Sequence, residues 1–243
     1  MNNQFVGICG IILAIILVSI PVVYAEIILK GMDYEEGIIP ITITNTMGKV
    51  EFDGQWSHYD EWKSTTLTEL KYNDGKIILR SAHQDGFLYF LIDDLTDFTY
   101  NRIADRAMIC LDSGDKSGKK PDKSVWCYVA ARGSLNGHTL NGGVHTVWMN
   151  YLGLVMSHPE YIGVGGTSGV NDRYIITPHA AYEFRIPIEQ IGFQDSYGFY
   201  MQVVNGDNVK TFPEEFSGEY LRKLPSPSEW TSIISIDKSI TKK

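Results

Sequence analysis

The nine residues HAAYEFRIP, 179–187, decide the fold class. Side chains of a strand point alternately to opposite faces, so Ala180, Tyr182, Phe184 and Ile186 fall on one side and His179, Ala181, Glu183 and Arg185 on the other. One apolar and one polar face describe a strand of an antiparallel sandwich, packed inward and wet outward. On that reading Glu183 stands on the wet face as a pairing or binding residue. The following residues, 187–191, offer one helical turn, which Gly192 ends.

Working outward, β-type runs recur at 38–44, 65–71, 76–82, 87–92, 106–111, 125–130, 144–149, 199–204 and 230–236, with no convincing long helix between them. Asn73-Asp74-Gly75 and Asp85-Gly86 mark hairpin turns. No repeat, Ser/Pro-rich linker or composition shift divides residues 38–240. The expectation is therefore one all-β, antiparallel two-sheet β-sandwich, jelly-roll-like, with 26–37 as a short linker before it. The least regular stretch is the glycine-rich 133–177, where loops on a rigid sandwich commonly carry binding sites.

Residues 1–25 contain no Lys, Arg, Asp or Glu, and 5–23 are almost unbroken apolar sequence. Val23 and Ala25 fit a signal-peptidase site, which makes 1–25 an export signal; the alternative is an N-terminal membrane anchor, since about 20 apolar residues span a bilayer. Either reading places the body outside the cytoplasm. The whole chain of 243 residues has 21 Lys+Arg against 29 Asp+Glu, a net charge of -8 and no basic run, which argues against a nucleic-acid partner. Cys110 and Cys127 are an even pair for an oxidising compartment. If their two runs pair as a hairpin, a disulfide is possible; two buried thiols packing as small hydrophobes is the other reading.

The strings VEFDGQWSHYDEW (50–62), KIILRSAHQDGFLYFLIDDLTD (76–97), DRAMICLD (105–112), YEFRIPIEQIG (182–192) and PSPSEW (225–230) come in an order that resembles the family 9 carbohydrate-binding modules and the wider DOMON-like sandwich group. Asp53-Gly54, Trp62, Leu88-Tyr89, Asp94, Asp105, Asp112, Tyr182, Glu183 and Ile186-Pro187 carry the resemblance. It implies a β-sandwich that binds sugar without cleaving it, often with calcium, in a secreted or cell-surface setting, where any link to catalysis is as an accessory to glycoside hydrolysis. The aromatic pair that grips the sugar in such modules has no residue-by-residue counterpart in 133–177.

Sugar recognition needs a flat aromatic face and planar polar groups. Trp62 and Trp230 read as packing residues, and Trp56 sits beside the first turn. That leaves Trp126 and Trp148 as stacking candidates, with Asn136, Asn141, Asn150 and His145 as hydroxyl partners for a polysaccharide or glycan. Core burial is the competing reading for both tryptophans. Asp93, Asp94, Asp97, Asp105 and Asp112 are candidate oxygens for Ca²⁺, though not at EF-hand spacing, and turn-capping is their plainer role. His138, His145, His158 and His179 lack the tight spacing of a zinc site and read as surface or hydrogen-bonded side chains. Met108, Met149, Met156 and Met201 with His145 or His158 could hold haem b in an electron-transfer alternative. A third reading is an interaction domain without a ligand. Glu183 and Asp112 as an acid/base pair have no support from spacing.

Overall fold

The computed structural model describes residues 38–102, 104–114, 118–143, 151–218 and 224–235. The leader, the linker and the expected strand at 144–149 lie outside them. The strands are β1 (Ile38–Ile43), β2 (Thr66–Tyr72), β3 (Gly75–Gln84), β4 (Phe87–Asp94), β5 (Arg106–Asp112), β6 (Val125–Ala131), β7 (His138–Asn141), β8 (Gly153–Val155), β9 (Ile162–Ser168), β10 (His179–Pro187), β11 (Ser196–Asn205), β12 (Asn208–Phe212) and β13 (Thr231–Ser235). A single helical turn, α1 (Ile188–Ile191), follows β10 and ends at Gly192.

These strands make an all-β, two-sheet sandwich. The first sheet runs β8-β7-β6-β5-β11-β13, with β12 also on β11; the second runs β3-β4-β10-β9, with β2 on β3. β1 joins them at a corner, pairing in parallel with β13 through Ile38 to Ile41 and with β3 through Thr42 and Ile43. Across from that corner, Arg132 and Ser134 bridge to Gly165 of β9. All other ladders are antiparallel.

The interior holds the expected face of β10: Ala180, Tyr182, Phe184 and Ile186 are fully buried among Leu88, Phe90 and Ile92 of β4 and Ile109, Leu111, Phe199 and Met201 of the facing sheet. Phe90 and Phe199 meet across the sandwich at 5.9 Å between centroids.

The wet face of β10 is a correction: His179, Ala181 and Glu183 are also fully buried. The long connection between β1 and β2 folds over the second sheet, bringing Met47, Trp56 and Trp62 against Ala82, Tyr89, Leu91 and Ala181. Alternation reports only that two faces differ in polarity; it is silent on whether a polar face is covered. The outer face of the first sheet has a smaller cover, in which Leu152 and Trp230 pack on Met108, Cys110, Cys127 and Tyr200. Cys110 and Cys127 are directly opposed in the β5–β6 ladder, with Cα atoms 4.0 Å apart, and are joined by a disulfide.

Candidate functional site

The cover over β10 is held by one carboxylate. Oε2 of Glu183 accepts the backbone N–H groups of Asp53 (3.0 Å) and Gly54 (2.7 Å), and its Oε1 accepts the indole N–H of Trp62 at 2.9 Å. Gly54 has φ 78, and a Cβ there would lie 2.3 Å from the Gly166 backbone, so the turn requires glycine. Glu61 stitches the same segment by accepting from the backbone N–H groups of Glu51 and Ser57. Burial raises both Glu183 and Glu61 above the ordinary carboxylate range, against the hydrogen bonds they receive. Glu183 is thus a structural hub, and Asp112 lies on the other sheet, bonded to Ser124 and the Gly114 N–H. The two share no site in which an acid and a base could act on one bond.

Where the sheets end at the loops after β4, β6 and β11, the chain builds an open cleft of about 440 Å³ lined by Tyr100, Asn101, Arg102, Ala104, Gly206 and Asp207. Asp105, almost wholly buried, shapes it: Oδ2 accepts the Asn101 N–H (2.7 Å) and Oδ1 accepts the Gly206 N–H (3.2 Å), fixing both walls. Arg132 reaches Asp105 at 3.5 Å and Asp97 at 3.4 Å, both contacts buried. Its guanidinium also lies 5.4 Å from the Tyr100 ring centroid, a cation–π support for a ring that remains 54% exposed. The Tyr100 hydroxyl bonds to the Arg132 carbonyl, and Gly133 leaves room for it, since a Cβ there would stand 2.3 Å from that oxygen. Phe98, two residues earlier, is also half-exposed. The result is an aromatic face fixed from behind, beside an amide, a guanidinium and a carboxylate. A second cleft of about 340 Å³ is lined by Tyr72, Asp74, Asn208, Lys210 and Glu214 among others, and reaches the same β11–β12 turn through Asn208.

The sequence-predicted sugar residues do not gather there. Trp126 is only partly exposed and packs against the interior cluster. Asn141 donates to the Lys123 and Val125 carbonyls, and Asn136 precedes β7, whose far end pairs with Trp126; five extended residues separate them, about 16 Å. His145, Trp148 and Asn150 lie outside the described residues. Trp62 and Trp230 are buried, as their positions suggested, and Trp56 beside the first turn is core as well. No tryptophan signals the cleft in the sequence; the exposed Tyr100 two residues from Phe98 in a loop was the available sign.

The five aspartates are likewise engaged by several partners, with only Asp97 and Asp105 sharing one. Asp93 bonds to His179, Asp94 to Thr96 with Lys210 at 3.7 Å, Asp97 and Asp105 to Arg132, and Asp112 to Ser124. Calcium asks for six to eight oxygens around one point. Among the described residues none of Asp94, Asp97, Asp105 or Asp112 belongs to a group of three ligand atoms within 4.8 Å of one another, and Arg132 and Lys210 stand against the carboxylates instead. As a single calcium site the five do not fit. For haem, Met108 packs in the outer cluster of the first sheet and Met201 in the interior, Met156 is 93% exposed and His158 bonds to Glu189. These side chains do not form an axial pair; Met149 and His145 lie outside the described residues.

The sequence matches no described protein family and no curated protein. Among solved structures, the chain is similar to a family 9 carbohydrate-binding module from Caldicellulosiruptor kristjanssonii in complex with cellotriose, at TM-score 0.44 and 12% identity, covering 82% of this chain and 93% of that one. The same module in complex with glucose gives TM-score 0.43 at 12% identity, over 82% and 95% of the two chains.

Proposed function

We propose that this protein is a non-catalytic, extracytoplasmic glycan-binding β-sandwich, and that its sugar docks in the Tyr100 cleft. The supporting observation is the fixed aromatic face of Tyr100 beside Asn101, Arg102 and Asp207. A pyranose presents a C–H face that stacks on an aromatic ring and hydroxyls that bond to planar side chains. The cleft is open at its sides, which suits a segment of an oligosaccharide chain better than a small enclosed metabolite. The ordered motifs from Val50 to Trp230 support the same reading independently of the cleft. Export through residues 1–25, by cleavage or as an anchor, belongs to this proposal and brings the body to extracellular glycans.

Isothermal titration with soluble gluco-, xylo- and manno-oligosaccharides tests it, with Tyr100→Ala as the control. Binding at millimolar or lower Kd that Tyr100→Ala weakens at least tenfold supports the reading. Absence of binding to every sugar at millimolar concentration overturns it, and binding that survives Tyr100→Ala moves the site elsewhere.

A further inference from the structure

The second sheet buries a group of side chains that the glycan reading does not use. His179 of β10 and Asp93 of β4 are wholly buried, and Asp172, from the β9–β10 connection, is 8% exposed. One ligand atom from each lies within 4.8 Å of the others, and no other such group of His, Cys, Asp or Glu occurs among the described residues. The ring geometry gives the chemistry. Nδ1 of His179 stands 2.6 Å from the Thr177 carbonyl, which can only accept, so Nδ1 carries a proton. That leaves Nε2 facing two carboxylates, Asp93 Oδ1 at 2.6 Å and Asp172 Oδ2 at 3.5 Å. A bare lone pair against two carboxylates is repulsive, so a positive centre, a proton or a metal ion, must lie between them.

Three further observations favour a metal ion. First, one of the carboxylates is already oriented from outside: Asp172 accepts the N–H groups of Tyr174 and Ile175 on Oδ1 and the Ser168 hydroxyl on Oδ2, and Ser168 in turn accepts the Trp56 N–H. Backbone and hydroxyl donors behind the ligands, with a carbonyl behind the histidine, are the usual outer shell of a metal site. Second, Asp93 Oδ2 is buried with no hydrogen-bond partner, a free acceptor at the same carboxylate. Third, an imidazolium leaves two buried carboxylates short by one charge, whereas a divalent ion with neutral His179 balances them. Arg80, buried on the same face, is engaged elsewhere, donating to the Thr65 carbonyl and the Tyr174 hydroxyl.

The geometry points to a buried structural site for a divalent transition ion, Zn²⁺ before others, held by Asp93, Asp172 and His179. One imidazole and two carboxylates suit zinc, and a tetrahedral ion at about 2.0–2.2 Å from each ligand sets donor separations near 3.3 Å. Asp172 stands close to that distance from Nε2, and Asp93 has to open by about 0.7 Å. Metal binding at Nε2 displaces the proton that would otherwise occupy it. The site ties β4 and β10 to the connection beside the Trp56 cover, so it acts on the fold and not on the sugar.

The test uses the full chain, stripped with chelator and then titrated with Zn²⁺ alone against a chromophoric competitor, with Co²⁺ in parallel for its visible d–d bands. One equivalent bound at sub-micromolar Kd, cobalt bands of a low-coordinate site and a Tm raised by several degrees are expected. Asp172→Asn and His179→Gln each should weaken zinc at least a hundredfold; Asp172→Asn, in the β9–β10 connection and not in a central strand, keeps the test decisive if His179→Gln does not fold. A wild-type chain that folds, takes up no stoichiometric zinc or cobalt and keeps its Tm overturns the inference and leaves a proton between the three groups. Metal is read without sugar, so this result is independent of whether glycans bind.

Discussion

Two buried carboxylates at different places in the sandwich do opposite work with the same chemistry. Glu183 and Asp105 each accept two backbone N–H groups: both of Glu183's come from a loop distant in sequence, whereas Asp105 takes one from Asn101, four residues before it, and one from the distant Gly206. Around Glu183 the loop closes down, with Trp62 and Trp56 buried beneath it. Around Asp105 the loops are held apart, and Tyr100, Asn101, Arg102 and Asp207 line an open cleft. The difference lies in the third partner. Glu183 receives an indole N–H that brings a large apolar ring onto the sheet, whereas Asp105 receives Arg132, whose guanidinium supports an aromatic ring that stays outside. A buried carboxylate sets loop positions; what its last ligand carries decides whether the loop becomes cover or site.

The sharpest way to break this comparison is Glu183→Ala. Three N–H donors, two of them fully buried, lose their acceptor, and at about 1–3 kcal/mol for each buried unsatisfied group the loss is at least about 2 kcal/mol, a large part of a typical domain's stability. Urea denaturation should show it, together with a rise in tryptophan fluorescence quenching by acrylamide as Trp56 and Trp62 become accessible. An unchanged midpoint would mean that the cover does not depend on this hub.

Reducing the Cys110–Cys127 bridge, or replacing both residues by Ser, should cost about 3 kcal/mol for a loop of this length. Because the bridge lies on the first sheet, away from the Glu183 cover, the effects of Cys110→Ser/Cys127→Ser and Glu183→Ala should add in the double variant. Coupling well above about 0.5 kcal/mol would show that the two outer covers communicate.

On the open side, Tyr100→Ala should leave stability within about 0.5 kcal/mol, as a half-exposed ring allows, while weakening glycan binding at least tenfold, about 1.4 kcal/mol or more. Thermal melting and titration calorimetry separate these two readouts.

The pH response distinguishes the regions more gently. Glu61 and Glu183 are raised above their ordinary 4.5 by burial, so the folded state holds their protons more tightly than the unfolded chain. Their contribution is fully present below pH 4.5 and is lost as the pH rises through the folded values. Asp97, pushed up to about 6 by burial and by Asp105 beside it, against the opposing charge of Arg132, adds in the same direction. The urea midpoint should therefore fall between pH 5 and 8, and Glu61→Gln should flatten that slope. The smallest effect concerns calcium: with Arg132 and Lys210 already against Asp94, Asp97 and Asp105, millimolar Ca²⁺ should move the Tm by less than about 1 °C, and a larger rise would show that these cations yield to the metal.

Much of the architecture was legible because strand signals are local. The HAAYEFRIP alternation and the Asn73-Asp74-Gly75 and Asp85-Gly86 turns place β2, β3, β4 and β10, and Cys110 and Cys127 fall opposite one another once their strands pair. The strands β7, β8, β9 and β12 went unread, since IGVGGTS has too little side chain to show a period and three-residue GLV too little length. Trp126, the most conspicuous candidate for stacking, turned inward because it shares a face with Tyr128 in β6. Asp105 was legible as a residue of consequence but not as the organiser of a cleft.

The sequence by itself determined the sandwich and the polarity of the two faces of its alternating strands, which follow from periods of two and from short hairpins, and it left the pairing of the two cysteines conditional on their strands meeting. Only the tertiary structure decided which polar faces are covered and where the open cleft lies. Glu183 meets Gly54 across 129 residues of chain, His179 meets Asp93 across 86, and Asp105 meets Gly206 across 101. Contacts of that range leave no periodic trace in the chain, because each is fixed by how two sheets and their loops pack and not by the spacing of neighbouring residues.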